Sequence, residues 1–280
     1  MREYIVADVF TDVPLEGNPV AVFSDGAGLS TELMQRTARE LNLSETVFLL
    51  PGDGGGEHAR ARIFTPAAEL PFAGHPVLGT AFILGERLGV DSVRLLTGAG
   101  PITISLQRER GAPVFGEMEQ PIPTWEALSC SGELLAALGV ERSGLPIEIY
   151  DNGPRHTFVE LSDENAVVAL RPDLTALSEL GAFGVSCFAV RDGPVRARVF
   201  APGLGVPEDP ATGSAAGPLA VHLARHGRTG FGQRVEIRQG IEIGRPSRLW
   251  AVVEGSGERV ERVAVGGGAV IVARGEYRLD

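Results

Sequence analysis

The sequence predicts an α+β fold made of two similar halves. Short segments rich in β-branched and aromatic residues, typical of strands, alternate with a few helical segments. The 37 glycines and 19 prolines exceed the average for globular proteins, which favours many turns and short strands over long helices. A repeated strand–turn–helix segment indicates that the second half of the chain copies the first.

The first half contains four strand-like segments and two helical ones. YIVADVF and NPVAVF are typical of a strand pair, and SETVFLL and RARIFTP of further strands. LSTELMQRTARELN predicts a helix, because apolar residues recur at helical spacing and Ser30 suits the N-cap. PVLGTAFILGERLG predicts a second helix from Pro76 to an exit at Gly89, and its apolar character on nearly all sides indicates burial.

The second half begins where two prolines interrupt the pattern, in EQPIPTWEA. This break predicts a boundary near residue 122 and domains of residues 1–122 and 123–280, with the last strand free to cross back to the first half. SGELLAALG and LRPDLTALSELGA predict short helices, and FGVSCFAV and VRARVF predict strands. PLAVHLARHG predicts a helix that ends at Gly227, and several strands follow it.

Composition excludes several classes of protein. The formal net charge of −11 argues against nucleic acid as the main partner, because phosphate binding needs a basic surface. Cys130 and Cys187 are too few for a disulfide framework or a cysteine-based zinc site, and suit a reducing compartment. The N-terminus resembles no signal peptide, and the apolar runs are too short to span a membrane. We therefore expect a cytoplasmic protein without a membrane partner.

The internal repeat aligns ARIFTP (61–66) with ARVFAP (197–202), and ELPFAGHPVLGTAFIL (69–84) with EDPATGSAAGPLAVHL (208–223). Gly74 then matches Gly213, and the second copy has three extra residues between its strand and its turn. Each copy is a strand, a loop, a glycine turn and an apolar helix. We expect the halves to face each other, so that the backbone N–H groups at both helix starts bind a small carboxylate.

Polar residues follow both glycine turns. His75 comes after Gly74, Ser214 comes after Gly213, and Asp209 lies five residues before Ser214. Histidine can hold or pass a proton near neutral pH, and aspartate can orient a substrate amine or hydroxyl. A helix cap or a packed residue is the structural alternative for His75. Ser214 is not a predicted nucleophile, because TGSAA lacks the second glycine of the G-x-S-x-G motif.

The five histidines predict no metal site. His222 and His226 have the i, i+4 spacing of zinc-binding helices, but the intervening LAR contains no glutamate base. The pair also lies at the C-terminus of a predicted helix, where histidine interacts favourably with the helix dipole. From the residues alone, Glu45 is typical of an exposed position at the start of a strand.

Four segments in this order, GNPVAVF, LSETVF, FTP..ELPFAGHP and DPATGSAAGPLA, resemble the PhzF-like isomerases of phenazine biosynthesis, which have the diaminopimelate epimerase fold. The resemblance covers roughly residues 1–225. It implies two pseudo-symmetric domains, each a mixed or antiparallel β roll around a central helix. It also implies a homodimer and a small anionic substrate.

The resemblance implies a cofactor-independent isomerase in which Glu45 is the general acid and base. By the same matching, the substrate-binding residues are Asn18, Gly74, His75, Asp209, Gly213 and Ser214. Epimerase relatives carry a pair of cysteines at the positions of Ala73 and Thr212, so this chain lacks the two-thiol mechanism.

We therefore hypothesise that Glu45 removes a proton from an activated carbon and returns it to another carbon of the same small acid. A conjugated enol-like or enamine-like intermediate would lie between the two steps. Two other functions fit the same residues. One is a non-catalytic protein that binds a small metabolite on this fold, and the other is a hydrolase or lyase that uses the same carboxylate. The sequence does not identify the substrate.

Overall fold

The computed structural model describes residues 1–190 and 193–279, which divide into two compact units. Unit 1 is Met1–Glu119 with the C-terminal segment from Gly266, and unit 2 is Gln120–Val265. The end of the chain therefore belongs to the first unit. Across the part of the chain that the structure describes, no helix combines the length and the apolar character needed to span a membrane.

Unit 1 is a mixed sheet with two helices, α1 (Thr31–Leu41) and α2 (Gly74–Leu88). With strands numbered along the whole chain, its strands are β1 (Arg2–Val9), β2 (Asn18–Phe23), β3 (Glu45–Leu50), β4 (Ala59–Phe64), β5 (Glu69–Leu70), β6 (Ser92–Thr97), β7 (Gly100–Glu109), β8 (Ala112–Glu119) and β18 (Ala269–Tyr277). Neighbouring strands are antiparallel except for two parallel pairs, β2 with β3 and β4 with β6. Each parallel pair is joined through one of the helices, as parallel strands require.

Helix α1 covers one side of this sheet. Ser30 caps it by accepting a hydrogen bond from the Leu33 backbone N–H, as the sequence predicts. Met34 and Ala38 face inward and pack in a cluster with the buried aromatic residues of β2, β3 and β4, which are Phe23, Phe48 and Phe64. This amphipathic helix thus joins the sheet through three stacked or edge-to-face rings.

Helix α2 is the central element of unit 1. Every residue from Gly74 to Gly85 is buried, which confirms the burial that its apolar sequence predicts. It packs against β1, β2, β6, β7 and β8. Gly79 permits the close approach, because a Cβ there would lie 2.7 Å from Val20 Cγ1 and 2.8 Å from Val9 Cγ2.

Unit 2 repeats this arrangement with the strands β9 (Thr124–Ala127), β10 (Glu148–Asp151), β11 (Arg155–Glu160), β12 (Gly184–Ala189), β13 (Val195–Ala201), β14 (Val206–Asp209), β15 (Arg234–Gln239), β16 (Ser247–Ser256) and most of β17 (Arg259–Gly267). Its helices are α3 (Ser131–Leu138), α4 (Glu164–Ala169), α5 (Leu174–Leu180) and α6 (Gly213–Arg225). A buried core that includes Leu134, Val167 and Leu177 joins α3, α4 and α5 to the sheet.

The two units share one pattern of strand pairing. The parallel pairs β11 with β12 and β13 with β15 correspond to β2 with β3 and β4 with β6. The segment between β13 and β15 contains β14 and α6, as β5 and α2 lie between β4 and β6. A short 3₁₀ helix, Pro202–Leu204, lies where the second copy has its three extra residues. The predicted α+β fold is confirmed.

Two helix starts differ from the sequence prediction. Helix α2 begins at Gly74, two residues before Pro76, and α6 begins at Gly213, so that Pro218 lies inside the helix and not at its start. Proline is favoured in the first turn, but here earlier small residues already adopt helical geometry. Helix α4 lacks a long apolar stripe and was not predicted, although Asp163 caps it.

We expect Gly79→Ala to lower the free energy of unfolding by about 1–2 kcal/mol, because the added methyl group overpacks α2 against β1 and β2. Chemical denaturation of both proteins measures this. Gly132→Ala in α3 is the matched control. Its Cβ meets nothing within 4 Å, so alanine should stabilise the protein by about 0.5–1 kcal/mol through helix propensity. Equal effects of the two substitutions would contradict the close packing.

Candidate active site

The predicted site residues of unit 1 lie around the start of α2. Asn18 begins β2 and is fully buried. Because β2 and β3 run parallel with Val20 opposite Glu45, the glutamate at the start of β3 lies beside the beginning of β2. Gly74 and His75 are the first two residues of α2. The fold thus places four residues from three separate segments of the sequence around one helix start.

Glu45 and His75 contact each other. The distance between Glu45 Oε2 and His75 Nε2 is 3.3 Å, and the glutamate side chain keeps 15% of its surface exposed while the imidazole keeps 4%. Burial lowers the pKa of His75 to about 3, and a hydrogen bond with the backbone of Pro19 opposes this only in part. His75 is therefore a neutral imidazole at physiological pH, and it lies against a partly accessible carboxyl group.

The site residues of unit 2 lie around the start of α6. Asp209 ends β14, Thr212 is the N-cap position, and Gly213 and Ser214 begin the helix. Thr212 Oγ1 donates a hydrogen bond of 2.6 Å to Asp209 Oδ2. Gln239 from β15 holds the turn, because its Nε2 donates to the Asp209 carbonyl oxygen at 2.7 Å and to Thr212 Oγ1 at 3.0 Å.

His156, which the sequence analysis did not single out, contacts the predicted site residue Ser214. Its Nε2 lies 3.0 Å from Ser214 Oγ, and both side chains are buried. Burial lowers the pKa of His156 to about 4, against the opposing charge of Asp151. The only sequence signal is a histidine in the strand-like RHTFVE of β11, and only the pairing of β11 within unit 2 brings it to α6.

Two amide side chains support the first turn of α6. Pro218 lacks an N–H, so it cannot donate to the carbonyl oxygen of Ser214 four residues earlier. Asn152 Nδ2 donates to that oxygen instead, at 3.1 Å. Gln120 Nε2 donates to the Gly213 carbonyl oxygen at 2.8 Å. These bonds keep the turn satisfied while the proline lies inside the helix.

Neither cysteine lies at the start of α2 or α6. Ala73 and Thr212 are the N-cap positions of α2 and α6, where the epimerase relatives are expected to carry thiols. Cys187 is in β12, and burial raises the pKa of its thiol to about 12. Cys130 precedes α3.

His222 and His226, for which the sequence predicts no metal site, lie in a charge cluster with Glu148. Their ring nitrogens lie 3.4 Å and 2.9 Å from Glu148 Oε2. Arg225 Nη1 donates to the same oxygen at 2.8 Å, so the guanidinium already balances the carboxylate. Burial tends to raise the pKa of Glu148, but the hydrogen bonds from His222, Arg225, His226 and Tyr150 outweigh it and leave the pKa well below its usual value.

Comparison with known proteins bears on this arrangement. The family model described as "Phenazine biosynthesis-like protein" matches residues 7–275. The chain is 54% identical over 279 residues to the trans-2,3-dihydro-3-hydroxyanthranilate isomerase of Pseudomonas aeruginosa, with 100% of each chain covered. A solved structure of a predicted epimerase from Pseudomonas aeruginosa matches with a TM-score of 0.85 and 36% identity, covering 99% of both chains.

A more distant structure has the same fold. The probable proline racemase of Agrobacterium radiobacter matches with a TM-score of 0.70 at 14% identity, covering 100% of this chain and 94% of that one. The chain therefore has an epimerase-like fold, and the close relatives show that it is an isomerase. The chain belongs to the phenazine biosynthesis-like family.

We expect Glu148→Gln to lower the free energy of unfolding by roughly 3 kcal/mol, because the buried Arg225 then lacks its main counter-ion. Thermal and chemical denaturation measure the change. Glu258→Gln removes the other carboxylate of Arg225, which is 70% exposed, and should cost less than about 0.5 kcal/mol. A similar loss from both variants would show that burial does not decide the strength of these pairs.

The buried His75 predicts a pH dependence of stability. Below its ordinary pKa of 6.5, the unfolded chain takes up a proton that the folded imidazole, with a pKa of about 3, does not. This one group should therefore cost about 2 kcal/mol of stability as the pH falls from 7 to 5. The difference in the free energy of unfolding between wild type and His75→Asn should fall by about 2 kcal/mol from pH 7 to pH 5. The same difference should stay constant between pH 8 and 9. A difference that does not change from pH 7 to 5 would contradict the neutral imidazole.

Proposed function

We propose that this isomerase acts on trans-2,3-dihydro-3-hydroxyanthranilate and moves a proton between two ring carbons, with Glu45 as the acid and base. The substrate follows from the name of the relative from Pseudomonas aeruginosa, which matches this chain over its full length. The observation that carries the mechanism is the contact of Glu45 Oε2 with the neutral imidazole of His75 at 3.3 Å.

The structure of this substrate allows a single catalytic carboxylate to remove a proton and return it. Its name describes a cyclohexadiene that bears a carboxylate, an amine and a hydroxyl group. The hydrogen on the hydroxyl-bearing carbon is allylic, and removing it as a proton leaves a charge delocalised over the diene and the carboxylate. Returning the proton at a different carbon of this system breaks one C–H bond, forms another and shifts the double bonds. No electrons enter or leave, so the step needs no redox partner.

His75 favours the protonated state of Glu45. A neutral imidazole has one N–H, and with that hydrogen directed to the Pro19 backbone, Nε2 offers a lone pair to Glu45. The lone pair accepts a hydrogen bond when the carboxyl group holds the transferred proton, and the proton stays available for the second carbon. A charged histidine has no lone pair on Nε2, and it would instead donate a hydrogen bond to the Glu45 carboxylate and disfavour the protonated carboxyl group, which is why burial of this imidazole matters.

The remaining residues are proposed to bind the substrate. In unit 1 these are Asn18, His75 and the N–H of Gly74. In unit 2, the backbone N–H of Gly213 and the hydroxyl of Ser214 suit an anionic group, because both belong to the first turn of α6. Asp209 suits the substrate amine by charge.

The proposal includes no cofactor, since the conjugated substrate itself stabilises the intermediate. It also includes no thiol pair, because Ala73 and Thr212 occupy the two helix starts and Cys187 lies buried in β12. The homodimer expected from the family resemblance stays a prediction.

We expect Glu45→Gln to reduce kcat for this substrate by about 10²–10⁴-fold, because the amide cannot carry the proton. Turnover in D₂O, followed by NMR, measures both the rate and the deuterium at the receiving carbon. Glu69→Gln, which removes an exposed carboxylate paired with Arg62, is the matched control and should retain the wild-type rate. Wild-type turnover by Glu45→Gln would overturn the assignment of the base.

A further inference from the structure

The pair of His156 and Ser214 has no role in the proton transfer described above. His156 lies on β11, opposite Gly184 of the parallel strand β12. Its Nε2 is 3.0 Å from Ser214 Oγ, and the exposed fractions of the two residues are 4% and 7%. Two polar groups buried this deeply have one strong interaction, which is with each other.

The direction of this hydrogen bond depends on which ring nitrogen holds the hydrogen. If Nδ1 is protonated, Nε2 accepts the hydroxyl hydrogen of Ser214. If Nε2 is protonated, it donates to Oγ, and the hydroxyl hydrogen stays available for another acceptor. Only the second arrangement lets Ser214 donate to an anion.

Gly184 decides between the two forms. A Cβ built on Gly184 would be nearest to Nδ1, and it would lie 3.1 Å from Cε1 and 3.6 Å from Cγ of the same ring. Such a point lies on the outward side of Nδ1, displaced somewhat toward Cε1. The Cα hydrogen of Gly184 that this Cβ would replace therefore lies close to Nδ1, where a lone pair fits and an N–H hydrogen would be crowded. Nδ1 also has no hydrogen-bond partner within the described residues.

We infer that His156 is a positioning residue, held as the neutral Nε2–H tautomer, that makes the Ser214 hydroxyl a hydrogen-bond donor to the carboxylate of the substrate. The inference rests on the proposed binding role of Ser214. Gly184 takes part because any larger residue would displace the imidazole. The donor then acts beside the N–H groups of the first turn of α6, whose charge also favours an anion.

The tautomer can be measured directly. In the full-length protein at pH 7, the ¹⁵N shifts of the His156 ring should identify a protonated Nε2 and an unprotonated Nδ1. Spectra of His156→Gln assign the signals by their loss. An Nδ1–H tautomer or an imidazolium ion would overturn the inference.

The effect on binding is tested with 3-hydroxyanthranilate, the aromatic counterpart of the proposed substrate, and with turnover of the substrate itself. His156→Leu should raise the Kd of this probe and the KM by about tenfold, with a smaller change in kcat. His156→Gln places an amide donor near the position of Nε2 and should restore most of the affinity. An affinity of His156→Leu equal to wild type would overturn the inference.

A double-mutant cycle separates positioning from packing. Because His156 acts through Ser214, adding His156→Leu to Ser214→Ala should change the Kd less than twofold, and an additive effect would overturn the inference. Gly184→Ala should weaken binding of the probe in the protein that retains Ser214, but not in the Ser214→Ala variant. This substitution replaces His156→Leu in the cycle if His156→Leu folds poorly. If Ser214→Ala alone leaves the Kd unchanged, the proposed binding role of Ser214 fails, whereas a loss on Ser214→Ala without one on His156→Leu refutes only the role of His156.

Discussion

In unit 1, Gly79 lets α2 lie so close to β1 and β2 that a methyl group at this position would press on Val9 and Val20. The helix is consequently buried along its first three turns, and its start is fixed relative to the strands. The Nε2 atom of His75 in the first turn then lies 3.3 Å from the carboxyl group of Glu45 at the start of β3. The contact between acid and imidazole thus follows from backbone packing several residues away.

Unit 2 fixes the start of its own central helix by different means. Here Pro218 interrupts the hydrogen bonds of α6, and the side chains of Asn152 and Gln120 take the carbonyl oxygens of its first two residues. These side-chain hydrogen bonds replace backbone hydrogen bonds within the helix. They link α6 to Gln120 in the segment before β9 and to Asn152 in the turn after β10. The duplicated topology is preserved, while the chemistry at the two helix starts has diverged.

Burial sets the chemical character of the histidines. Burial lowers the pKa of both His75 and His156 because desolvation disfavours the charged ring, so each neutral ring offers one lone pair and one N–H group. His222 is also buried, but it lies beside Glu148 and Arg225, where the charges are paired. The same residue type is therefore proposed to support proton transfer at His75 and to orient Ser214 at His156, whereas His222 belongs to a charge cluster.

The sequence alone determined the local elements and the duplication, because apolar periodicity, turn residues and the R-x-F-x-P block are properties of neighbouring residues. The motif around Glu45 became recognisable only through the family resemblance, since a glutamate at the start of a strand has no distinctive local pattern. Only the tertiary structure decided that α2 and α6 begin at Gly74 and Gly213, because these starts depend on packing and on distant amide side chains. It alone brought His156 to Ser214, because the packing of α6 against β11 joins residues 58 positions apart that no local pattern relates.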